Sequence, residues 1–389
     1  MLVNYLMMLI PFLLAIFSAG ILIPYILLVA YKKRLFDPID PRKLHKRIVP
    51  RLGGVAFAPI QCCLLIASTV IIYKGDIIYL GIRGDEIFPM FVMMMCGLLT
   101  LFIVGLGDDL IGVNYRWKFV VQIGVAALFP ASGLWINNLY GLGFVVSLSP
   151  WMGIPLTLFA VVLIVNAVNL MDGLDGLCAG VIGVATIFLG VLFFISGAWL
   201  HALFAFITAG VLVPFFYYNV VGASRRKRQI FMGDTGSMVL GYSIAFLAIS
   251  FAMNNAHIKS FSEGAIVTAF STLIVPVFDV ARVMFVRWRQ DKPVFQPDRN
   301  HLHHKFLRAG MSHRTAMLSV LAMSLFFCVF NVLVVQFISN NIVIVCDFVL
   351  WLSFHFVFDR LLAKNIPVQQ IAKEDSFDDL LEEGLLVEK

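Results

Sequence analysis

Charged side chains are scarce in this sequence: Asp, Glu, Lys and Arg make up 13% of its 389 residues, while 60% of the residues are hydrophobic. Soluble domains carry about 25% charged residues, so the composition argues against a soluble fold. A membrane can hide the apolar excess, because each spanning helix needs about 20 mainly apolar residues. We predict one membrane domain over residues 1–362, followed by an acidic tail over residues 363–389.

Signatures of several other protein classes are also missing. The six cysteines form no CxxC pair and have no histidine at ligand spacing, which is typical of buried apolar residues rather than of a zinc site. No internal repeat is visible, which argues against a transporter made of inverted halves. A secretory signal carries basic residues before its apolar core, whereas Lys32, Lys33 and Arg34 follow this one. We therefore expect a retained first span.

The apolar stretches predict an all-α, polytopic membrane protein of about eleven transmembrane helices. Basic residues collect in every second loop: the segment from Lys32 to Arg51 holds eight, whereas the alternate loops hold only Lys74, Arg83 and Lys259. The positive-inside rule then predicts a periplasmic N-terminus and a cytoplasmic C-terminus. The predicted spans are about 5–30, 53–73, 88–107, 117–136, 152–171, 177–197, 201–221, 236–253, 265–286, 317–338 and 341–360.

Carboxylates recur at the ends of these spans, where an acid beside hydrocarbon is costly and a functional role is the first hypothesis. The predicted topology puts all of them on the cytoplasmic face. Flanking glycines and their distribution over separate spans indicate one assembled site for a divalent cation and phosphates. The motifs are GLGDDLIG with Asp108 and Asp109, NAVNLMDGLDG with Asp172 and Asp175, and FMGDTGS with Asp234.

The local patterns suggest different tasks for these groups. Adjacent Asp108 and Asp109 point about 100° apart on a helix, so one can bind metal while the other orients a ligand or takes a proton. Lys118 suits a phosphate as a point charge, and a snorkelling interface lysine is the alternative. Asp234 opens a helix whose N–H groups attract anions, and a plain N-cap is the alternative.

In NAVNLMDGLDG, polar side chains recur every three residues from Asn166 through Asn169, so neighbours are close while the helix persists. Gly173 and Gly176 predict a break in the helix and let the backbone approach a ligand.

Two further segments fall on the same predicted face. In PVFQPDRNHLHHKF, donors to a diphosphate fit better than zinc ligands, and a histidine cluster without function is the alternative. KLHKRIVPRLGG either attracts anionic headgroups or guides a lipid phosphate into the site. The candidate donors are Arg299, His301, His303 and His304 in the first segment, and Lys43 and His45 in the second.

In this order, the four motifs GLGDDLIG, NAVNLMDGLDG, FMGDTGS and PDRNHLHH resemble those of polyprenyl-phosphate N-acetylhexosamine-1-phosphate transferases. PDRNHLHHKFLRAG is similar to the undecaprenyl-phosphate N-acetylglucosamine branch, whereas the peptidoglycan-precursor branch carries a PLHHHFE-type segment. Wall teichoic acid enzymes share the HLHH form and stay open as an alternative, as does another UDP-N-acetylhexosamine donor.

The resemblance implies that UDP-N-acetylglucosamine and undecaprenyl phosphate give undecaprenyl-diphospho-N-acetylglucosamine and UMP, with Mg²⁺ or Mn²⁺. This step would start enterobacterial common antigen or O-antigen at the bacterial inner membrane. The implied partners are these two substrates and the bilayer, with no nucleic acid, and a homodimer is left open.

The resemblance also implies roles for single residues, with Asp108 as a candidate base or metal partner. The implied catalytic set is Asp108, Asp109, Lys118, Asp172, Asp175, His301, His303 and His304. The implied substrate-binding set is Asn169, Asn219, Phe231, Arg299, Lys43 and His45. The implied metal ligands are Asp234, Asp108 and Asp109.

A secondary transporter is the alternative from another class, since it also carries acids inside a membrane. It would place them near the midplane rather than on one face. Asp279 and Arg282, three residues apart within the ninth predicted span, are the pair that such a transporter would use.

Overall fold

Long apolar stretches fold into helices because each backbone N–H and C=O must be paired within the segment when no water is present. The computed structural model describes residues 2–35, 49–75, 84–222, 228–291 and 300–365. Across these ranges the chain forms thirteen α-helices and, apart from an isolated bridge between Asn138 and Ser147, no β-pairing.

The first eight helices include the four that carry the acidic motifs and Lys118. They are α1 (Leu2–Lys33), α2 (Phe57–Lys74), α3 (Gly84–Ile111), α4 (Tyr115–Ala131), α5 (Pro150–Met171), α6 (Leu177–Ile195), α7 (Trp199–Phe216) and α8 (Gly233–Ala252). A 3₁₀ turn at Gly53–Ala56 leads into α2, and a π-helical turn at Tyr217–Val221 continues α7.

The remaining five helices include the short one that carries the histidines. They are α9 (Ala265–Ser271), α10 (Ile274–Arg289), α11 (Leu302–Arg308), α12 (His313–Val334) and α13 (Asn340–Asn365).

Within the described ranges, nine helical segments are long and apolar enough to cross a membrane. The pair α9 and α10, bent by 75° at their junction, makes a tenth if it counts as one span. Helix α4, with 17 residues, lies in the fourth predicted span. The prediction of an all-α polytopic membrane protein is therefore confirmed, and each of the eleven predicted stretches contains a helix. The orientation of the termini and the domain limits stay predictions.

Helix α8 is the central helix of the bundle. Every residue from Thr235 to Ala252 is buried, whereas only 33%, 33% and 22% of the most apolar windows of α1, α12 and α13 are buried. Helices α3, α5, α6 and α9 all contact α8. The outer helices therefore present their large apolar side chains to lipid, and α8 is shielded from it.

Small residues let α8 approach its neighbours closely, as is usual between membrane helices. A Cβ at Gly241 would lie 2.8 Å from the Cα of Val165 on α5. On α3, a Cβ at Gly105 would lie 2.5 Å from the Cα of Thr235. The end of α3 that carries the adjacent aspartates therefore lies directly against the first turn of α8.

The Gly105 contact predicts that this position accepts no side chain. In Gly105→Ala, helices α3 and α8 must move apart, so we expect a lower thermal-unfolding midpoint in detergent. The loss should correspond to about 1–3 kcal/mol, as for other overpacked interiors. The matched control is Gly107→Ala on the same helix, where the nearest atom to an added Cβ is 3.9 Å away. Equal midpoints for the two variants would contradict the close approach.

Candidate active site

The first turn of α8 is capped by a carboxylate from α3. Asp109 Oδ1 accepts a hydrogen bond from the backbone N–H of Asp234 at 2.8 Å. Its Oδ2 accepts from the N–H of Thr235 at 3.0 Å and from the Thr235 hydroxyl at 2.5 Å. The N–H groups at the start of a helix have no partner within the helix, so Asp109 provides what an N-cap side chain normally provides. Asp109 thereby fixes the position of Asp234.

The segment before α2 holds the other side of this turn. Gly53 N–H donates to Phe231 O and Gly54 N–H to Met232 O, both at 2.9 Å, and Phe231 N–H donates to Pro50 O at 2.8 Å. Gly233 has a φ of +75°, which favours glycine, and a Cβ there would lie 2.1 Å from Arg51 O. The glycine at position 233 therefore allows the backbone of residue 51 to come close to the start of α8.

Lys118, at the start of α4, lies between the carboxylates of Asp108 and Asp234. Its Nζ lies 2.8 Å from Asp108 Oδ2 and 2.9 Å from Asp234 Oδ2. The other oxygen of Asp108 accepts from Val113 N–H at 2.6 Å. The three side chains keep 12–27% of their surface exposed. One cation is thus shared by two acids that remain open to the membrane surface.

The adjacent aspartates of α3 therefore point to different partners, as their 100° separation predicts. Asp109 faces the α8 backbone, and Asp108 faces Lys118.

The polar residues of α5 face α8 and α4. Asn169 Nδ2 donates to Ser237 Oγ at 2.8 Å, and Asn166 Nδ2 donates to Gln122 Oε1 at 2.6 Å. Helix α5 ends at Met171, so the predicted break at the following glycines is confirmed. The turn over residues 172–176 then lies beside the acidic cluster.

This turn is fastened by side chains from distant parts of the chain. Asn219 Oδ1 accepts from Gly176 N–H at 2.5 Å, while its Nδ2 donates to Ile230 O at 2.8 Å. Gln229 Nε2 donates to Asp175 Oδ2 at 2.8 Å. The side chain of Asn219 thus links two backbone segments of the site, and its role towards a substrate stays a prediction.

Burial and neighbouring charge both act on the acids of this turn. Burial raises the pKa of Asp172 well above its usual value, the negative charge of Asp234 raises it further, and the positive charge of Arg51 opposes the rise. Burial also raises the pKa of Asp175 to about 6, against the opposing effects of His313 and of the Gln229 hydrogen bond.

Arg51 is not among the site residues predicted from the sequence. Its position directly before Leu52, Gly53 and Gly54 could have indicated it. The backbone of these glycines is bonded to the segment before α8, so a charge at position 51 is held close to the site.

The histidine segment is organised by Asp279 of α10. Asp279 Oδ2 lies 2.9 Å from His301 Nδ1, both of its oxygens accept from Leu302 N–H at 3.1 Å, and Arg282 Nη2 donates to Oδ1 at 2.8 Å. The Asp279–Arg282 pair thus belongs to the support of α11. This explains the one feature that a transporter interpretation could use.

His303 reaches the acidic turn from the other side. A Cβ at Gly173 would lie 2.9 Å from His303 Nε2, so a residue with a side chain at position 173 would displace the ring. His303 is 3% exposed, and its ring stands 4.2 Å from that of His304. Burial lowers the pKa of His303 to about 3, and charge on His304 and His301 acts in the same direction. His303 is therefore a neutral imidazole at pH 7.

The structure brings most of the predicted residues to one end of the bundle. Asp108, Lys118 and Asp234 form a bonded cluster with Asp109 behind it, and the turn over residues 172–176 lies between this cluster and His303. The substrate and catalytic roles of these residues stay predictions. The predicted substrate-binding residues Lys43, His45 and Arg299 lie outside the described residues.

A divalent cation such as Mg²⁺ needs oxygen ligands that converge on one point. Within the described part of the chain, no three Asp, Glu, His or Cys side chains converge to enclose a metal by themselves. Mg²⁺, however, is usually held by one or two carboxylates together with substrate phosphates. Asp108 and Asp234 meet that description, because each directs one oxygen to the same point, where the Lys118 ammonium lies.

Comparisons with known proteins place these features in context. The family described as glycosyl transferase family 4 matches residues 91–252, which contain all three acidic motifs and Lys118.

Several relatives are similar to most of the chain. The chain is 29% identical over 367 residues to the probable undecaprenyl-phosphate N-acetylglucosaminyl 1-phosphate transferase of Bacillus subtilis (strain 168), covering 92% of this chain and 90% of that protein. It is 31% identical over 301 residues to the undecaprenyl-phosphate alpha-N-acetylglucosaminyl 1-phosphate transferase of Yersinia pestis, covering 75% and 74%.

The raised pKa of Asp175 predicts a pH-dependent stability. The folded state binds this proton with a pKa of about 6, whereas the unfolded carboxyl has a pKa of about 4. The folded state therefore holds more protons between these values, and the contribution of Asp175 to the free energy of unfolding falls as the pH rises from about 4 to about 6. Asp175→Asn should remove this slope and raise the unfolding midpoint at pH 7.

The measurement is the thermal midpoint of both proteins in detergent across this pH range. Because the asparagine oxygen can still accept from Gln229, the hydrogen bond is retained in the variant. A midpoint difference that does not change with pH would show that Asp175 titrates normally.

Proposed function

The chain belongs to glycosyl transferase family 4, and we propose that it transfers N-acetylglucosamine-1-phosphate from UDP-N-acetylglucosamine to undecaprenyl phosphate. The chain is thus an enzyme of the phosphoglycosyltransferase class, built into the membrane. The names of the relatives support this acceptor and this sugar. The observation that carries the proposal is the Asp108–Lys118–Asp234 cluster, which offers both signs of charge at the end of the central helix.

The proposed reaction joins two phosphates. An oxygen of undecaprenyl phosphate forms a bond to the β-phosphorus of the donor, the bond from that phosphorus to the bridging oxygen breaks, and UMP leaves with this oxygen. A phosphate monoester has a second pKa near 6, so the acceptor is already mostly dianionic at pH 7 and needs little deprotonation. Positioning and neutralisation of charge are then the main tasks of the protein.

Each member of the cluster has a task in this scheme. Lys118 supplies a positive charge for a phosphate, in place of or beside its present carboxylate partners. Asp108 and Asp234 would hold Mg²⁺, or Mn²⁺, which when bound neutralises the charge of the diphosphate. Both oxygens of Asp109 are already engaged by α8, so we assign it to positioning Asp234 rather than to the metal.

The turn over residues 172–176 and the histidines complete the proposed site. The neutral ring of His303 can donate to a phosphate oxygen without carrying charge itself. We assign Asp172 and Asp175, which lie beside it, to contact with the nucleotide or the sugar. The segments rich in Lys and Arg, which the predicted topology puts on the same side as these motifs, support a cytoplasmic site, where the product would start a lipid-linked surface glycan.

The first test is release of UMP by the purified protein in detergent with Mg²⁺ and undecaprenyl phosphate. Parallel reactions contain UDP-N-acetylglucosamine, UDP-N-acetylgalactosamine and UDP-N-acetylmuramyl-pentapeptide, because a single sugar hydroxyl is distinguished by few contacts. We expect turnover with UDP-N-acetylglucosamine alone. Turnover with a different donor would keep the chemistry and change the substrate, and no UMP from any donor would overturn the proposal.

Substitutions in the cluster test the separate tasks of its acids. Asp234→Asn keeps the shape but removes the charge, so we expect a loss of at least about 10²-fold in kcat, typical for loss of an electrostatic contact. Asp108→Asn should be severe but retain some turnover, since the acceptor needs little deprotonation.

The matched control is Glu263→Gln, which removes an exposed acid from the opposite end of the bundle. The measurement is UMP release over a series of Mg²⁺ concentrations. Full activity of the Asp234→Asn enzyme at limiting Mg²⁺ would contradict the metal assignment.

A further inference from the structure

Helix α11 carries His303 and His304 but is only seven residues long. A helix of this length has no stability of its own in water, so contacts with other elements must set its position. The contacts of its first residues with Asp279 on α10 are described above. The contacts of its later residues lead to a different part of the chain.

The second attachment of α11 is an ion pair with the last described helix, α13. Lys305 Nζ lies 2.8 Å from Asp359 Oδ1 and 2.9 Å from Asp359 Oδ2. Only 13% of the Lys305 side chain is exposed, and Arg282 and Arg308 add positive charge nearby. Burial lowers the pKa of Lys305, the charges of these arginines lower it further, and Asp359 opposes the shift. Asp359 therefore compensates a lysine held in an unfavourable place.

An aromatic cluster reinforces the ion pair. Phe306, which is 2% exposed, lies between two rings of α13. Its centroid is 5.0 Å from that of Phe358, with the planes at 80°, and 6.0 Å from that of Phe354, with the planes at 64°. Such edge-on pairs are favourable beyond the apolar area that they bury. Two consecutive residues of α11 are thus attached to residues 354–359 of α13.

Helix α13 is itself fastened at two other points. Asn340 Nδ2 donates to Tyr140 O and Glu263 O at the far end of the bundle, at 2.8 and 2.7 Å. In the middle, Asp347 Oδ1 accepts from Asn331 Nδ2 of α12 at 3.1 Å. Most of the remaining surface of α13 faces lipid, since 78% of its most apolar window is not buried. The helix therefore lies on the outside of the bundle, yet its last turns reach the histidine segment.

We infer that α13 positions the histidines of the active site, with Asp359 as a positioning residue that acts through Lys305. The chain of contacts runs from Asp359 to Lys305, then two residues back along α11 to His303, which packs against Gly173 in the acidic turn. A shift of α11 moves the imidazoles relative to the turn over residues 172–176. Its effect on turnover rests on the proposed function, whereas the mechanical connection does not.

The test uses the full chain with Asp359→Asn, which removes the charge and keeps the size. Amide hydrogen exchange of the segment 302–308 should become faster, because α11 loses its second attachment, while the amides of α8 keep their protection. In UMP release, kcat should fall about fivefold, the size expected of a partly exposed ion pair, with a smaller change in KM. Asp359→Glu should restore both values.

Two comparisons show whether the effect passes through Lys305. In the double variant Lys305→Met with Asp359→Asn, kcat should be no lower than in the less active of the two single variants. The reason is that the two side chains act as one unit. The matched control is Arg360→Gln, which also changes the charge of this segment by one unit, but its guanidinium lies over the ring of Phe356 and not beside Lys305. It should leave exchange and kcat unchanged.

Each result decides a separate part of the inference. Unchanged exchange of the segment 302–308 in Asp359→Asn would overturn the connection between α13 and α11. Faster exchange with unchanged kcat would overturn its role in turnover. If the unsubstituted protein releases no UMP at all, the proposed function fails, and exchange alone then decides the connection.

Discussion

Three hydrogen bonds join Asp109 to the first turn of α8, and the geometry of the site depends on them. The first N–H groups of a helix have no partner within it, and Thr235 is fully buried here against α3, so an uncapped end would be costly. The bond between Asp109 and the Asp234 backbone joins α3 to α8 through two residues that are 125 positions apart in the sequence. The same contact that stabilises the bundle therefore also places Asp234 beside Asp108 and Lys118.

The site gathers several acids at a membrane surface, and the structure compensates their repulsion in different ways. Asp109 accepts from backbone and hydroxyl donors, while Asp108 and Asp234 share the ammonium of Lys118. The positive charge of Arg51 offsets only part of the effect of burial and of neighbouring acids on Asp172, so the pKa of Asp172 stays raised. The negative charges of these acids are thus neutralised to different degrees. Ionisable groups with shifted pKa values cluster at functional sites, so this arrangement is typical of a site that binds a charged ligand.

Helices on the outside of the bundle also hold residues of the site in position through side-chain contacts. Helix α13 faces lipid along most of its length, as a simple anchor would, but its last turns attach to α11 through Lys305 and Phe306. Asp279 has a similar part on α10, where it orients His301 and accepts from the start of α11. The histidines are thus placed by side chains that lie outside the conspicuous motifs.

The sequence by itself determined the helical membrane fold and the motifs of the site, because apolar length and local spacing are properties of neighbouring residues. It also indicated that Asp108 and Asp109 differ in direction, since the pitch of a helix separates them. Which of them meets Lys118 and which caps α8 was decided only by tertiary packing, where glycines such as Gly105 bring the helices together. The parts of Arg51 and Asp359 were decided in the same way, because their partners are remote in the chain. For Asp279 the sequence showed the spacing to Arg282, but not the contact with His301, which lies 22 residues further on.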